Sequence, residues 1–362
     1  GMELSALTNA LQLGSAPLTG NRLNEHGFGL NNALACLSGG SGDWCIYTRT
    51  QPGPYFKVSG PFDLRMTVKT VDAIDLPASL NLQWPDPSTV VYVRVPMVIA
   101  RSLQRQGNRK LSDLANLRMW LVEHLGVAYR GYLELDPETL EPSAKIAVTI
   151  GQNSMLVPPI PVPVMMARTE KVEVELGGQV VPVVYIHGTL DKSKQEHLVR
   201  GSKSRYYYQC NHPTQGVDIR LGKRVIATGQ LNEIWCKEDG VSLMRHNSYN
   251  DFVGEVILPE LPRGVLPTLN NKTGIDRNDP DWEAVFEALA NFPPQKNATC
   301  ASEQKLQEQW MKILKAANPE DEVTKEISVW PTGTRVDVVH RDNNGRCDIY
   351  ELKAAKAEPQ HL

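Results

Sequence analysis

The chain has 362 residues, with 38 Lys and Arg against 41 Asp and Glu, so its formal net charge is −3. At roughly 100–200 residues per domain, this length predicts two or three domains. A charge so close to neutral disfavours a protein that coats a polyanion over its whole surface, although a local basic groove remains compatible with it. Hydrophobic residues make up 41% and charged residues 22%, a globular composition that excludes disorder of the whole chain.

The sequence offers no segment suited to a membrane or to export. Its most apolar stretch, residues 155–167, contains prolines that remove helical hydrogen-bond donors, namely Pro158, Pro159, Pro161 and Pro163. No basic region followed by an apolar run marks a signal peptide. The 6 cysteines are scattered without a CxxC pair. We therefore expect reduced thiols, no zinc motif and a cytoplasmic protein.

The first third of the chain alternates short helices and strands. Apolar spacing predicts a helix over residues 2–13, and a glycine-containing loop then leads into a second helix at about residue 31. Runs rich in β-branched and aromatic residues predict strands at 44–48, 55–58 and 89–95. A longer helix is predicted over 111–129, with its apolar face formed by Leu114, Leu117, Leu121 and Leu125.

The remainder is rich in strands. We predict them at residues 145–150, 171–176, 180–187, 217–220, 224–228 and 253–258, followed by a helix at 281–289. The polar, proline-containing residues 292–301 are interpreted as a linker. After the linker, Ser302 is expected to cap a helix, and strands follow at 326–330, 334–340 and 348–353.

The loop over residues 26–30, His-Gly-Phe-Gly-Leu, combines glycines with a following helix. Backbone amides at a helix N-terminus attract anions, because their N–H groups point outward and the helix dipole favours negative charge. Gly27 and Gly29 would let phosphate approach the backbone without side-chain obstruction. A structural turn is the alternative that this spacing alone leaves open.

This loop, preceded by a short helix and the Gly14-Ser15 pair, resembles the lid of the GHKL ATPases, and among them most closely that of the MORC proteins. Residues 43–49 resemble the next strand of that family. Ser88-Thr89 resembles the Gly-Thr strand that closes the nucleotide pocket, with serine in place of glycine.

The second half resembles the transducer domain of the same family. Residues 217–225 resemble its hairpin, and residues 252–261 followed by 266–272 resemble the segment that delivers a lysine to the terminal phosphate of ATP. Here that lysine is Lys272, although a leucine replaces the usual histidine and one extra residue precedes the lysine. A surface lysine in a turn is the alternative.

The resemblance implies a GHKL-type ATP-binding body in which a lid closes on nucleotide and Mg2+, usually coupled to formation of a homodimer. The residues implied in binding ATP are Gly27, Phe28, Gly29, Leu30, Thr89 and Lys272.

Two elements that the GHKL family places before its lid do not occur in this sequence. One is a helix with the glutamate that activates water and an asparagine that holds magnesium, and the other is an Asp-x-Gly-x-Gly turn whose aspartate reads adenine. We expect the chain to be either N-terminally incomplete or a degenerate, non-hydrolysing relative, and the first explanation is favoured because a sheet without these elements would expose apolar surface.

Near the C-terminus, Asp337, Glu351 and Lys353 form a D-x13-E-x-K pattern across a predicted hairpin. Glu351 and Lys353 would share one strand face. Two carboxylates suit Mg2+, and a lysine beside the metal-bound water suits phosphodiester hydrolysis. The pattern and the preceding helix resemble the PD-(D/E)xK restriction-endonuclease-like fold, without its closing helix and strand. A solvated charged hairpin is the alternative.

Two further groups were weighed as contacts for nucleic acid. The run Tyr206-Tyr207-Tyr208 beside Lys203 and Arg205 could stack bases, but a half-buried strand is the favoured interpretation. A basic run, formed by Arg101, Arg105, Arg109 and Lys110, precedes the long helix and is interpreted as a solvated loop.

Together these features predict an α+β protein. Residues 1–100 are expected to form a partial Bergerat α/β sandwich, 101–291 a ribosomal-protein-like transducer domain, and 302–362 a partial restriction-endonuclease-like module that uses Asp337 and Glu351 as metal ligands. The expected function couples nucleotide-driven closure to action on DNA, in repair or defence. Two alternatives stay open: a non-catalytic, ATPase-like scaffold for partner proteins, and a metal-dependent nuclease without ATPase activity.

Because the general base and the adenine-reading aspartate do not occur in this sequence, the polypeptide is expected to show no, or very weak, ATP hydrolysis. A phosphate-release assay with purified protein and Mg2+ measures this directly. Sustained turnover that scales with protein concentration would mean that the GHKL alignment is wrong.

Overall fold

A computed structural model describes residues 1–12, 29–63, 66–76, 89–104, 113–191, 206–235, 246–262, 264–268, 274–276, 278–294, 298–329 and 334–350. For residues 103–104, 113, 298–306, 325–329 and 334–337 it describes the backbone. The described chain is α+β, as predicted from the sequence.

The first sheet is a four-stranded antiparallel sheet with helices on one face. Its order is β3-β2-β1-β4, where β1 is Trp44–Thr48, β2 is Tyr55–Ser59, β3 is Lys69–Val71 and β4 is Thr89–Val93. Helices α1 (Leu4–Leu11) and α2 (Gly29–Leu37) pack on it through a core formed by Leu7, Leu34, Trp44, Ile46 and Val58. The opposite face buries the alternate residues Cys45 and Tyr47.

Three helices follow the first sheet: α3 (Met97–Gln104), α4 (Asp113–Ala128) and α5 (Arg130–Leu133). The sequence did not predict α3. Of the predicted apolar face of α4, Leu121 and Leu125 pack against the core, whereas Leu114 is exposed and the neighbouring Val122, Glu123 and Val127 are buried. The polar Glu123 breaks the apolar pattern that predicted this face.

The second sheet is five-stranded, with the order β10-β9-β11-β8-β7. The strands are β7 (Val164–Leu176), β8 (Gln179–Leu190), β9 (Gly216–Leu221), β10 (Arg224–Gln230) and β11 (Phe252–Leu258). Neighbours are antiparallel except β9 and β11, which run parallel. The β7–β8 hairpin turns at Gly177-Gly178, where both residues have positive φ, the conformation that a two-residue type I′ turn requires.

Helices cover both faces of this second sheet. One face packs against α6 (Pro280–Ala290) through a core that includes Trp282, Val285 and Leu289. The other packs against α4 and α5 through Val122, Val127 and Leu133. A two-stranded hairpin, β5 (Ala147–Ile150) with β6 (Asn153–Leu156), adds Val148 to the second core.

The last described unit consists of a helix and a three-stranded antiparallel sheet. Helix α7 (Ala298–Ala317) precedes β12 (Glu322–Val329), β13 (Thr334–Arg341) and β14 (Cys347–Tyr350). Helix α7 begins at Ala298, before the predicted cap at Ser302, so it includes the last residues of the expected linker. Within the described ranges, no helix has both the length and the apolar character needed to cross a bilayer. The sequence-derived domain boundaries stay predictions.

A fully buried arginine fastens α5 to the second sheet. Arg130 is 0% exposed, and its Nη2 forms an ion pair with Oδ2 of Asp218 on β9. Its Nε lies 3.2 Å from Oε1 of Glu255 on β11, close enough for an ion pair but not aligned for a hydrogen bond. Asp218 and Glu255 face each other across the parallel pair β9–β11, so the guanidinium neutralises two carboxylates on adjacent strands.

Other groups complete this buried cluster. Nη1 of Arg130 donates to the Ile160 carbonyl at 3.3 Å and to the Tyr208 hydroxyl at 3.1 Å. The Tyr208 hydroxyl donates to Asp218 at 2.6 Å. Burial lowers the pKa of Arg130, but Tyr208 and the carboxylates outweigh it and raise that pKa above its usual value. Burial also raises the pKa of Glu255, against the opposing effect of Arg130 and Arg220.

Replacing Arg130 by methionine is expected to lower the free energy of unfolding by about 3–5 kcal/mol, because it leaves the buried Asp218 without its ion-pair partner and Glu255 with only the more distant Arg220. Urea denaturation followed by circular dichroism measures the loss. The matched control is Arg94→Met, since Arg94 is 75% exposed in its ion pair with Asp43 and should lose no more than about 1 kcal/mol. Equal losses in the two variants would contradict a structural role for the buried cluster.

Candidate functional site

The phosphate loop predicted from the sequence ends at the first residues of α2. Gly29 begins the helix, and a Cβ added at Gly29 would meet nothing within 4 Å. Leu30 is half-buried and packs against the core between the helices and the first sheet. Gly27 and Phe28 lie outside the described residues. Of the two described residues of the loop, Gly29 therefore leaves open space at the start of α2, and Leu30 anchors the helix to the core.

Thr89, the other predicted nucleotide contact in this region, begins β4 and lies opposite Thr48 of β1. Their hydroxyl oxygens are 2.9 Å apart. The Met2 amide donates to the Thr48 hydroxyl at 2.7 Å. Since Thr48 alternates with Trp44 and Ile46, which contact the helices, this hydroxyl pair lies on the sheet face that α1 and α2 cover. Thr89 and α2 thus share one face of the first sheet.

Asn31, which was not singled out from the sequence, lies in the first turn of α2 and is 3% exposed. Its Nδ2 donates to the Leu11 carbonyl at the end of α1, at 3.4 Å. Its Oδ1 is buried and has no hydrogen-bond partner among the residues that the structure describes. An unpaired buried acceptor costs about 1–3 kcal/mol, so Asn31 holds an unused hydrogen-bonding capacity close to Gly29. Asn31 lies three residues before the buried Leu34, and this helical spacing is the sequence feature that could have placed it on the buried face of α2.

A separate polar group lies on the opposite face of the first sheet. The Tyr47 hydroxyl donates to Asp75, and Lys57 Nζ contacts the same carboxylate at 2.7 Å. Burial and the hydrogen bond to Asp75 raise the pKa of Tyr47 to about 12, and the bonds from Lys57 and Tyr47 lower the pKa of Asp75. This group fastens the segment after β3 to the sheet, away from α1 and α2.

Lys272, the predicted contact to the terminal phosphate, lies outside the described residues. The residues on either side of its segment are described: Thr268 and Ile275 form an isolated antiparallel bridge. The Asp276 amide and the Trp282 indole both donate to the Pro267 carbonyl, at 3.2 and 2.9 Å. The described residues just before and just after this segment are therefore held next to each other.

The carboxylate–lysine trio is described only in part. Asp337 lies on β13, for which the backbone is described at this position, while Glu351 and Lys353 lie outside the described residues. The predicted hairpin is confirmed for β13 and β14, which pair with Val338 opposite Tyr350. Its turn is fixed by Asp342, whose Oδ1 accepts from the amides of Asn344 and Arg346 at 2.9 and 2.8 Å.

The same sheet contains a buried pair that was not predicted. His340 Nε2 lies 2.7 Å from Oδ2 of Asp321, which precedes β12. The pair joins β13 to the residue before β12. In the part of the chain that the structure describes, no group of three or more His, Cys, Asp or Glu side chains could hold a metal ion.

The tyrosine run is not a strand, which corrects the sequence interpretation. Residues 206–208 form bends that pack against α4. The amides of Tyr206 and Tyr207 donate to the buried Glu123 carboxylate at 3.0 and 2.9 Å. Tyr208 has a positive φ of 53° and lies in the core beside Arg130. These tyrosines are thus held by α4, and of the basic run only Arg101, on α3, lies within the described residues.

Comparison with known proteins gives distant similarity to solved structures. No protein-family model and no curated protein matches the chain. Among solved structures, the chain is similar to one described as the crystal structure of the N-terminal domain of a DNA repair protein, with 10% sequence identity and a TM-score of 0.36. The match covers 68% of this chain and 69% of that one. A TM-score this low does not establish a shared fold, so nothing about the function of this chain follows from it.

Proposed function

We propose that this chain is the nucleotide-binding body of a GHKL-type ATPase and that it couples nucleotide-driven closure to action on DNA. The observation that supports it is the joint position of Gly29 and Thr89. Helix α2 begins at Gly29 with open space around its Cα, and Thr89 presents its hydroxyl on the same helix-covered face of the first sheet.

The chemistry of α2 suits a polyphosphate. The first amides of a helix have no intrahelical partner, and the helix dipole adds partial positive charge at the same end. In this proposal Gly27, Phe28, Gly29 and Leu30 hold the phosphates of ATP, and the ammonium of Lys272 contacts the terminal phosphate as a point charge.

The C-terminal unit is proposed to act on the phosphodiester backbone. Asp337 and Glu351 would hold Mg2+, which supplies Lewis-acid polarisation of the phosphate and lowers the pKa of bound water. Lys353 would orient that water. The β13–β14 register supports this arrangement. Val338 lies opposite Tyr350 in an antiparallel pair. The same register, continued by one residue, would place Asp337 opposite Glu351.

A metal-dependent nuclease without ATPase activity is the second candidate. The β13–β14 hairpin and its Asp342 turn favour this candidate. Neither contains a residue implied in nucleotide binding, so this support does not depend on the first sheet. Homodimer formation and a cytoplasmic location remain parts of the first proposal.

Nucleotide binding is tested by thermal shift. ATP with Mg2+ is expected to raise the melting temperature of the wild-type protein, and Lys272→Ala is expected to reduce that rise, because the ammonium contact to the terminal phosphate is lost. Lys223→Ala is the matched control, since Lys223 is an exposed turn lysine that donates to Ser143. A wild-type protein whose melting temperature does not respond to ATP would leave the nuclease alone as the candidate.

Nuclease activity is tested on supercoiled plasmid. Mg2+-dependent nicking is expected, and Asp337→Ala should abolish it by removing a metal ligand. Asp348→Ala is the control, because Asp348 lies in the same sheet and pairs with Arg346 at 3.5 Å. Nicking that persists in Asp337→Ala would contradict the metal assignment.

A further inference from the structure

Strand β7 forms one edge of the second sheet, and among the described strands none lies beyond it. From Arg168 to Leu176 it pairs with β8 in one unbroken register, and a bulge between Met165 and Arg168 ends this regular stretch. The outward N–H and C=O groups of an edge strand form a template on which another strand can pair. The stretch from Arg168 to Leu176 is therefore a surface for strand pairing.

The side chains of this edge differ between its two faces. Val172 and Val174 pack into the core beneath α6, whereas the alternate residues Lys171, Glu173 and Glu175 are exposed on the opposite face. Within the described ranges, neither Lys171 nor Glu173 forms an ion pair. The edge thus presents one positive charge followed by two negative charges that the described chain does not neutralise.

A second copy of β7 fits this charge pattern. If the copies are related by a two-fold axis perpendicular to the sheet, the two strands run antiparallel and each face continues across the junction. The middle of the regular stretch is Val172, which then lies opposite the partner's Val172. This centre places Lys171 opposite the partner's Glu173, and symmetry repeats the same pair on the other side of the axis.

Neighbouring registers bring like charges together. A centre at Glu170, Lys171 or Glu173 places that side chain opposite its own copy, and a centre at position 174 places Glu173 opposite Glu175. Opposite charges that face each other across an antiparallel pair stabilise it, and like charges destabilise it. Among the centres from 170 to 174, only the middle one avoids a facing pair of like charges.

We propose that β7 pairs antiparallel with β7 of a second copy, centred on Val172, so that the two five-stranded sheets join into one continuous sheet across a homodimer. The bulge after Met165 limits the pairing to the regular stretch. This inference goes beyond the proposed function, because β7 contains no residue implied in nucleotide binding and the pairing requires no ATP. It is tested without nucleotide, so its failure is distinct from a failed response to ATP.

Charge reversal tests the pairing in the full chain by sedimentation equilibrium. The wild-type protein is expected to form a dimer. Lys171→Glu and Glu173→Lys should each raise the dissociation constant of the dimer by about tenfold, because both symmetric pairs then face a like charge. The double variant Lys171→Glu/Glu173→Lys exchanges the two charges and should restore the wild-type constant. Lys145→Glu is the matched control, since it reverses the charge of an exposed lysine outside β7 and should change nothing.

Three results would overturn the proposal. A wild-type protein that stays monomeric at every concentration would mean that the charges on β7 prevent pairing instead of directing it. A dimer that Lys171→Glu weakens no more than Lys145→Glu does would use another surface. A double variant that remains as weak as the single variants would exclude the facing pair of Lys171 and Glu173.

A cysteine at the centre tests the register directly. Opposite residues of an antiparallel pair have Cα atoms about 4.5–5.5 Å apart, a separation that a disulfide can span. Val172→Cys should therefore give a covalent dimer on mild oxidation, above the level that the 6 native cysteines give in the wild-type protein. Val180→Cys is the control, because Val180 is 67% exposed on β8 and would lie at least about 14 Å from its copy. Equal cross-linking in the two variants would overturn the proposed register.

Discussion

The buried ion cluster around Arg130 is the constraint on which the second sheet depends. Asp218 and Glu255 are neighbours on two parallel strands, and without a cation between them their repulsion and burial would oppose the pairing of β9 with β11. The guanidinium neutralises both, because its charge is spread over a plane whose Nη2 bonds to Asp218 and whose Nε lies within ion-pair distance of Glu255. Since Arg130 also bonds to Tyr208 and to the Ile160 carbonyl, one side chain fixes α5, two strands and two connecting segments.

This arrangement leaves the opposite face of the same sheet free for α6. The Trp282 indole of that helix donates to the Pro267 carbonyl, while Arg130 and its partners lie on the α5 side. The first sheet has a comparable division: Thr89, Thr48 and Asn31 lie with the helices, and Tyr47 with Asp75 lies on the other face. In both sheets the alternation of side chains along the strands places two sets of polar contacts on opposite faces.

Local patterns predicted much of the secondary structure. The β-branched run at β4, the alternation in β9 and the Asp-Asn-Asn-Gly turn before β14 each encode their own geometry, because strand pairing and turn hydrogen bonds involve residues close in sequence. Helix α3 and the short strands β3 and β6 were not predicted. The tyrosine run was wrongly predicted as a strand because its aromatic composition suits one. In the structure its backbone amides donate instead to the buried carboxylate of Glu123, which lies on a helix distant in sequence.

The sequence by itself determined the α+β class, the positions of most strands and the motifs that suggest phosphate and metal chemistry, because composition, periodicity and turn residues act over a few neighbouring positions. Only the tertiary structure decided which polar groups are buried and with what partner. Arg130, Asn31 and Trp282 carry no local signal, since each is defined by atoms far along the chain: a carboxylate on β9, the end of α1 and the carbonyl of Pro267. Burial and long-range hydrogen bonding exist only once the chain has folded, and they are what give these three side chains their roles.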